Sequence, residues 1–187
     1  MSAVTIVPYS NDWPLQFARV RDELLSVFAD FAVQVEHIGS TSIPSLAAKP
    51  VIDVLLGADS LAAVESKVES LESMGYQYIS KYEQELPMRR YFAKSADNDL
   101  PRIHLHAVVS GSPFWHEHIA FRNALRSDNS LRAEYQALKM DLAARFPRDK
   151  ASYAAAKEPF IRSVVASLQQ AMGANNSFKP NPFRGPA

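Results

Sequence analysis

One aspartate, Asp53, stands inside an otherwise apolar run, "PVIDVLLG", residues 50–57. The run is dense in branched side chains, and a strand apolar on both faces belongs in the middle of a sheet. An ionised carboxylate is almost never buried without a partner. Any fold of this chain must therefore give Asp53 a metal ion, a nearby Lys or Arg, or an opening to water. Lys49 is one such partner, although on an extended strand it lies about 13 Å along the chain. A structural ion pair and a ligand site both satisfy this pattern.

The residues just upstream sharpen the choice. "AVQVEHIG" alternates, with Val33, Val35 and His37 on one face and Gln34, Glu36 and Ile38 on the other, which predicts a strand ending at Gly39. Glycine there permits a tight turn and a close backbone approach. Ser40, Thr41 and Ser42 follow with hydroxyls and N–H groups suited to phosphate oxygens. The same four residues also make an ordinary turn.

Elsewhere the chain alternates between helical and extended patterns. "SNDWPLQFARVRDELLSVFADF" predicts a helix capped by Asn11 or Asp12, with Phe17, Val20, Leu24, Val27 and Phe31 at helical spacing. "DSLAAVESKVESLESMG" predicts a single helix with the stripe Leu61, Val64, Val68 and Leu71. "YQYIS", "RRYFAKS" and "RIHLHAVV" predict shorter strands, whose succession permits antiparallel pairing and hence a mixed sheet. From Pro113 three helices are expected, the last kinked or split near Pro159. The fold class is thus α+β, a mixed sheet flanked by helices with further C-terminal helices. One domain over residues 1–173 is expected, followed by a proline-rich, loosely attached tail over 174–187.

Bulk properties narrow the function classes. The 187 residues carry 47% apolar and 21% charged side chains, a globular balance. There is no cysteine, which removes disulfides and thiolate metal sites. No run approaches eighteen apolar residues and the N-terminus has no leader-like pattern, so a soluble, cytoplasmic protein without membrane contact is expected. Net charge is zero, which argues against general nucleic-acid binding. Residues 1–88 nevertheless sum to −7 and residues 89–187 to +7. Either two lobes complement each other, or the second half delivers cations to an anionic ligand.

A small residue pair after a strand and an acid on the next strand, as in Gly39-Ser40 and Asp53, resembles the layout of nucleotidyltransferase-superfamily folds. More specifically, "EHIGSTSIPSLAAKPVIDVLLG", "RIHLHAVV", "FRNALRSDNSLRAEYQALKMDLA" and "YAAAKEPFI" resemble the GrpB family, nucleotidyltransferase-like proteins also found fused to dephospho-CoA kinase. The resemblance covers roughly residues 8–170. It implies a nucleotidyltransferase-like fold with Asp53 as catalytic carboxylate. Active members of the superfamily carry a second carboxylate two residues later; here that position is Leu55. One acid makes a poor clamp for two Mg²⁺ ions.

His104 and His106 stand two apart on an expected strand and share a face. With Asp53 they would form a metal set for Mg²⁺, Mn²⁺ or Zn²⁺, the two-histidine composition favouring a transition metal. They equally suit phosphate contact, or burial at an interface. His116 and His118 point apart on a helix and are expected at the surface or an interface. Of Arg89 and Arg90, alternation sends one to each face, and Arg90 is taken for the cleft. With Lys49, Arg122 and Lys157 it would neutralise a bound anion. The function expected is binding of a phosphorylated small molecule, a nucleotide or CoA-related compound, with metal-assisted phosphoryl or nucleotidyl transfer. The alternatives are a non-catalytic binding module and a metal-dependent hydrolase built on His104 and His106.

Overall fold

The computed structural model of the chain describes residues 4–176. Five strands form one sheet: β1 (Val33–Ile38), β2 (Val51–Ala58), β3 (Tyr76–Tyr78), β4 (Arg89–Lys94) and β5 (Arg102–Val109). Their spatial order is β1-β2-β5-β4-β3. Only β2 and β5 run parallel; the other pairings are antiparallel. The α+β class and the mixed sheet expected from the sequence are those observed.

Strand alternation divides the sheet into two unlike faces. Ile52, Val54, Leu56, Ile103, Leu105 and Phe92 line one, packed beneath α1 (Asp12–Val27) through Trp13, Val20 and Leu24. Val64 of α2 (Leu61–Glu65) and Leu71 of α3 (Val68–Ser73) complete this main core. The stripe expected of a single helix thus reaches the core from two short ones. The break falls at Ser66, whose hydroxyl bonds back to the Ala63 carbonyl at 2.8 Å and competes with the helical ladder. At the start of α1 the expected caps are not used; the Asp12 N–H donates to the Ser10 hydroxyl instead.

The second face carries Ile38, Leu55 and Val108, which meet Trp115 of α4 (Pro113–Ser127). Behind α4 lie α5 (Asn129–Arg145), α6 (Lys150–Ala155) and α7 (Glu158–Asn176). The hydroxyl of Ser112 and the carboxylates of Asp128 and Asp149 accept N–H bonds at the starts of α4, α5 and α6. The last helical segment is split as expected, with Pro159 in the first turn of α7, where its missing N–H costs nothing. Helix α7 reaches Asn176, past the tail boundary expected at Ala174; the tail from residue 177 lies outside the described residues. Among the described residues no helix is long and apolar enough to cross a membrane.

Candidate functional site

Asp53 lies on the second face of the sheet, beside Ile38 of β1 and His104 of β5. Its side chain is 26% exposed, so the burial problem posed by the sequence is solved by a partly open position. Its direct partner is His104, with Nδ1 at 3.2 Å from Oδ1. The other ring nitrogen of His104 accepts from Nε of Arg102 at 3.2 Å. Since an arginine only donates, Nδ1 must carry the proton, which it donates to Asp53. Burial works against ionisation of Asp53, but the His104 hydrogen bond, with the electrostatic pull of His104, His106 and Lys157, outweighs it. The carboxyl is held below its ordinary range.

The turn after β1 folds directly over this carboxylate. Gly39 has φ +69°, and a Cβ there would fall 2.2 Å from Oδ2 of Asp53. Residues Ser40–Ser42 then make one 3-10 turn. Thr41 and Ser42, expected to offer hydroxyls to phosphate, are buried and spent on the turn itself. Thr41 donates to the Val51 carbonyl at 2.8 Å and so accepts from Nε2 of His37 at 3.1 Å. Ser42 donates to the Gly39 carbonyl. The Ser40 hydroxyl instead meets the phenol of Tyr135, which burial pushes up and the serine contact pulls down.

The outer side of the loop is tied to the C-terminal helices. Arg126 of α4 donates from Nε and Nη2 to the Ser42 carbonyl. From α5, Gln136 accepts from the Ala47 N–H at 2.9 Å, and the ammonium of Lys139 donates to the Ala47 carbonyl. Arg122 bonds Glu36 and the His37 carbonyl, so it braces β1 rather than offering itself to a ligand.

Two other expected cations do converge. The ammonium groups of Lys49 and Lys157 each lie 4.7 Å from the ring centre of Tyr153. Neither makes an ion pair with a carboxylate among the described residues. Burial lowers the Lys157 ammonium to about 8, aided by Lys49 and opposed by Asp53. Lys49 is lowered likewise by burial, with Asp53 opposing and Lys150 assisting.

Arg90 is not part of this group. It lies on the opposite face of the sheet, where Glu65 takes it at 2.6 Å and Glu83 at 3.6 Å. Arg89 is the arginine on the Asp53 face. Its Nη1 lies 3.2 Å from Nδ1 of His106, and the rings of Tyr91, Tyr82 and Phe114 surround its guanidinium. His118, expected merely at a surface or interface, stacks on Phe114 at 4.0 Å and reaches within 6.5 Å of His106. Alternation required one of the two arginines here, but its phase depends on register with β5.

The metal set expected of Asp53, His104 and His106 does not form. Among the described residues no three His, Asp or Glu side chains are placed to share an ion. The reason is local: both nitrogens of His104 are engaged, and His106 is held by Arg89. Leu55, where a second acid would stand, is 0% exposed against Ile38, Val108 and Trp115. The donor set therefore suits neither a paired-Mg²⁺ clamp nor a two-histidine hydrolase centre.

A family model described as "GrpB protein" matches residues 3–167. The chain belongs to the GrpB family. It is 33% identical over 168 residues to the glutamate-rich protein GrpB of Alkalihalophilus pseudofirmus, covering 88% of this chain and 95% of that one. A Mycolicibacterium paratuberculosis protein named dephospho-CoA kinase is 32% identical over 183 residues, which cover 86% of this chain but 45% of that protein. The GrpB domain thus spans less than half of that relative. Among solved structures, the conserved protein GrpB from Enterococcus faecalis matches with TM-score 0.78 and 30% identity, covering 90% of this chain and 99% of that one. The Cid1 poly(U) polymerase with Mg and 3′-dATP bound matches with TM-score 0.54 and 12% identity, covering 81% of this chain and 49% of that one. At that identity the GrpB chain shares the nucleotidyltransferase fold.

Proposed function

We propose that this GrpB protein binds a phosphorylated small molecule of the nucleotide or CoA-related class, with its phosphates on Lys49 and Lys157 beside Asp53 and His104. The supporting observation is the lysine pair. Two ammonium groups share one tyrosine ring, without a carboxylate in ion-pair contact among the described residues, and burial disfavours the charge of both. Like charges kept together in a poorly hydrated place cost free energy that a bound anion returns. The nucleotidyltransferase fold and the relative named dephospho-CoA kinase favour phosphorylated ligands of this kind.

The second reading, a binding module without transferase chemistry, is favoured by Leu55. That side chain is core, not a vacancy waiting for an acid. In either reading the acid–base pair beside the ligand is Asp53–His104, with His104 held in one tautomer.

Isothermal titration with ATP and with dephospho-CoA, each with and without Mg²⁺, tests the proposal. Saturable binding that is lost in the Lys49→Met, Lys157→Met double variant is expected. Absence of binding under all four conditions overturns it, and so does binding indifferent to both lysines. Turnover of the bound ligand separates a transferase from a module.

A further inference from the structure

Along the sheet from Asp53, Arg89 occupies an unusual setting. Its guanidinium carbon lies 5.1 Å from the ring centre of Tyr91 and 6.0 Å from those of Tyr82 and Phe114. Its Nη1 is spent on His106, and its Nε–H is buried with no acceptor among the described residues. No Asp or Glu pairs with it among the described residues. Arg89 as a whole is half-buried; a buried N–H nearly always finds a partner, and a half-buried charge without a counter-ion is also unfavourable. Arg90, next along the strand, shows the alternative, with Glu65 and Glu83 on its guanidinium.

We propose that Arg89 is the anchor of a carboxylate-binding subsite that receives a small planar acid, separate from the lysine site for phosphate. A nucleobase would satisfy the orphan Nε–H but leave the charge uncompensated, so the missing partner is an anion. With Nη1 taken by His106, the Nε edge remains, and that edge can meet the two oxygens of a carboxylate with parallel hydrogen bonds. The flanking aromatic rings favour a flat ligand over a tetrahedral one. Because Arg89 donates to Nδ1 of His106, neutral His106 carries its proton on Nε2 and supplies a further donor. Tyr82, 38% exposed and 6.0 Å from the guanidinium, is the most solvent-facing of the three rings, so a ligand would enter beside it and displace it as needed to reach the Nε–H.

The subsite adjoins the Asp53–His104 pair. The Tyr91 ring lies 5.7 Å from the His104 ring and 5.1 Å from the His106 ring, bridging the two positions. An acid anchored on Arg89 would extend along Tyr91 toward His104.

The test uses the full chain, with nitrogen NMR of the His106 ring as readout and three probes: benzoate, its neutral isostere benzamide, and inorganic phosphate. Saturable shifts with benzoate are expected, with benzamide and phosphate at least about tenfold weaker. Arg89→Gln should weaken benzoate by a similar factor, whereas Lys49→Met with Lys157→Met should leave it unchanged. Should Arg89→Gln fail to fold, Arg89→Lys decides, since it keeps the charge and loses the fork. No saturable benzoate binding, equal binding of benzamide or phosphate, or indifference to the Arg89 variant overturns the subsite. ATP and dephospho-CoA binding report on the lysine site alone, so the two proposals fail separately.

Discussion

Gly39 rests directly on Asp53: no other residue type fits, since a β-carbon would stand 2.2 Å from the carboxylate oxygen and the φ of +69° disfavours any side chain. The two features that made the sequence unusual are one object. A backbone bend is pressed against the single acid of the interior strand β2.

Gly39→Ala is therefore expected to cost about 1–3 kcal/mol in backbone strain alone, before any displacement of Asp53. Urea unfolding should show the loss, and the His104 ring signal should shift as its partner moves. Unchanged stability together with an unchanged His104 signal would contradict the contact.

Leu55→Asp would place a carboxylate among Ile38, Val108 and Trp115 rather than complete a metal site. It should destabilise the chain by about 3 kcal/mol or more. Leu55→Met should cost under about 1.5 kcal/mol. A Leu55→Asp variant of near-native stability that gains Mg²⁺ affinity would show the position to be open after all.

Acid should weaken the fold well before its carboxylates titrate. Burial lowers His37 to about 4 and His106 to about 3, from 6.5. Above pH 6.5 both are neutral in the folded and unfolded chains. Below it the unfolded chain takes up protons that the folded one refuses, so stability falls steadily from pH 6.5 toward pH 4. His37→Gln, which keeps a donor for Thr41 and cannot titrate, should flatten the fall in Tm measured between pH 7 and 5.

Ligand binding should weaken in the opposite direction of pH. Lys157 holds its proton below about 8 and loses it above. ATP affinity at the proposed lysine site should thus drop between pH 7 and 9. Lys157→Arg, charged throughout, should bind with little change over that range. An identical pH profile in both proteins would remove Lys157 from the phosphate contacts.

Much of this architecture could be read from residue patterns. Periods of two and 3.6 located the strands and helices because each element buries one face against the shared core. Asp53 could be flagged because a charge in apolar surroundings needs an explanation, and His104 because it shares a strand face with His106. What could not be read were pairings across the chain. Lys49 and Lys157 meet only because α6 and α7 return to the loop before β2. Arg89 rather than Arg90 faces Asp53 because of where β4 registers against β5. The hydroxyls of Thr41 and Ser42 are the right chemistry for phosphate, yet they are consumed by the Val51 and Gly39 carbonyls and by His37. His118, read only as a surface or interface residue, lies with its ring 6.5 Å from that of His106.

Arg126, Gln136 and Lys139 grip the carbonyls and N–H of the loop at Ser42 and Ala47 from helices that come much later in the chain. During synthesis, then, the strands and their acid emerge first, while the segment above them has only its bonds to the sheet and to Val7 and lacks the outer grip of α4 and α5. A chain truncated before α4 should therefore keep its strands yet hold this loop more loosely, with faster amide exchange at Ala47, whose N–H loses Gln136.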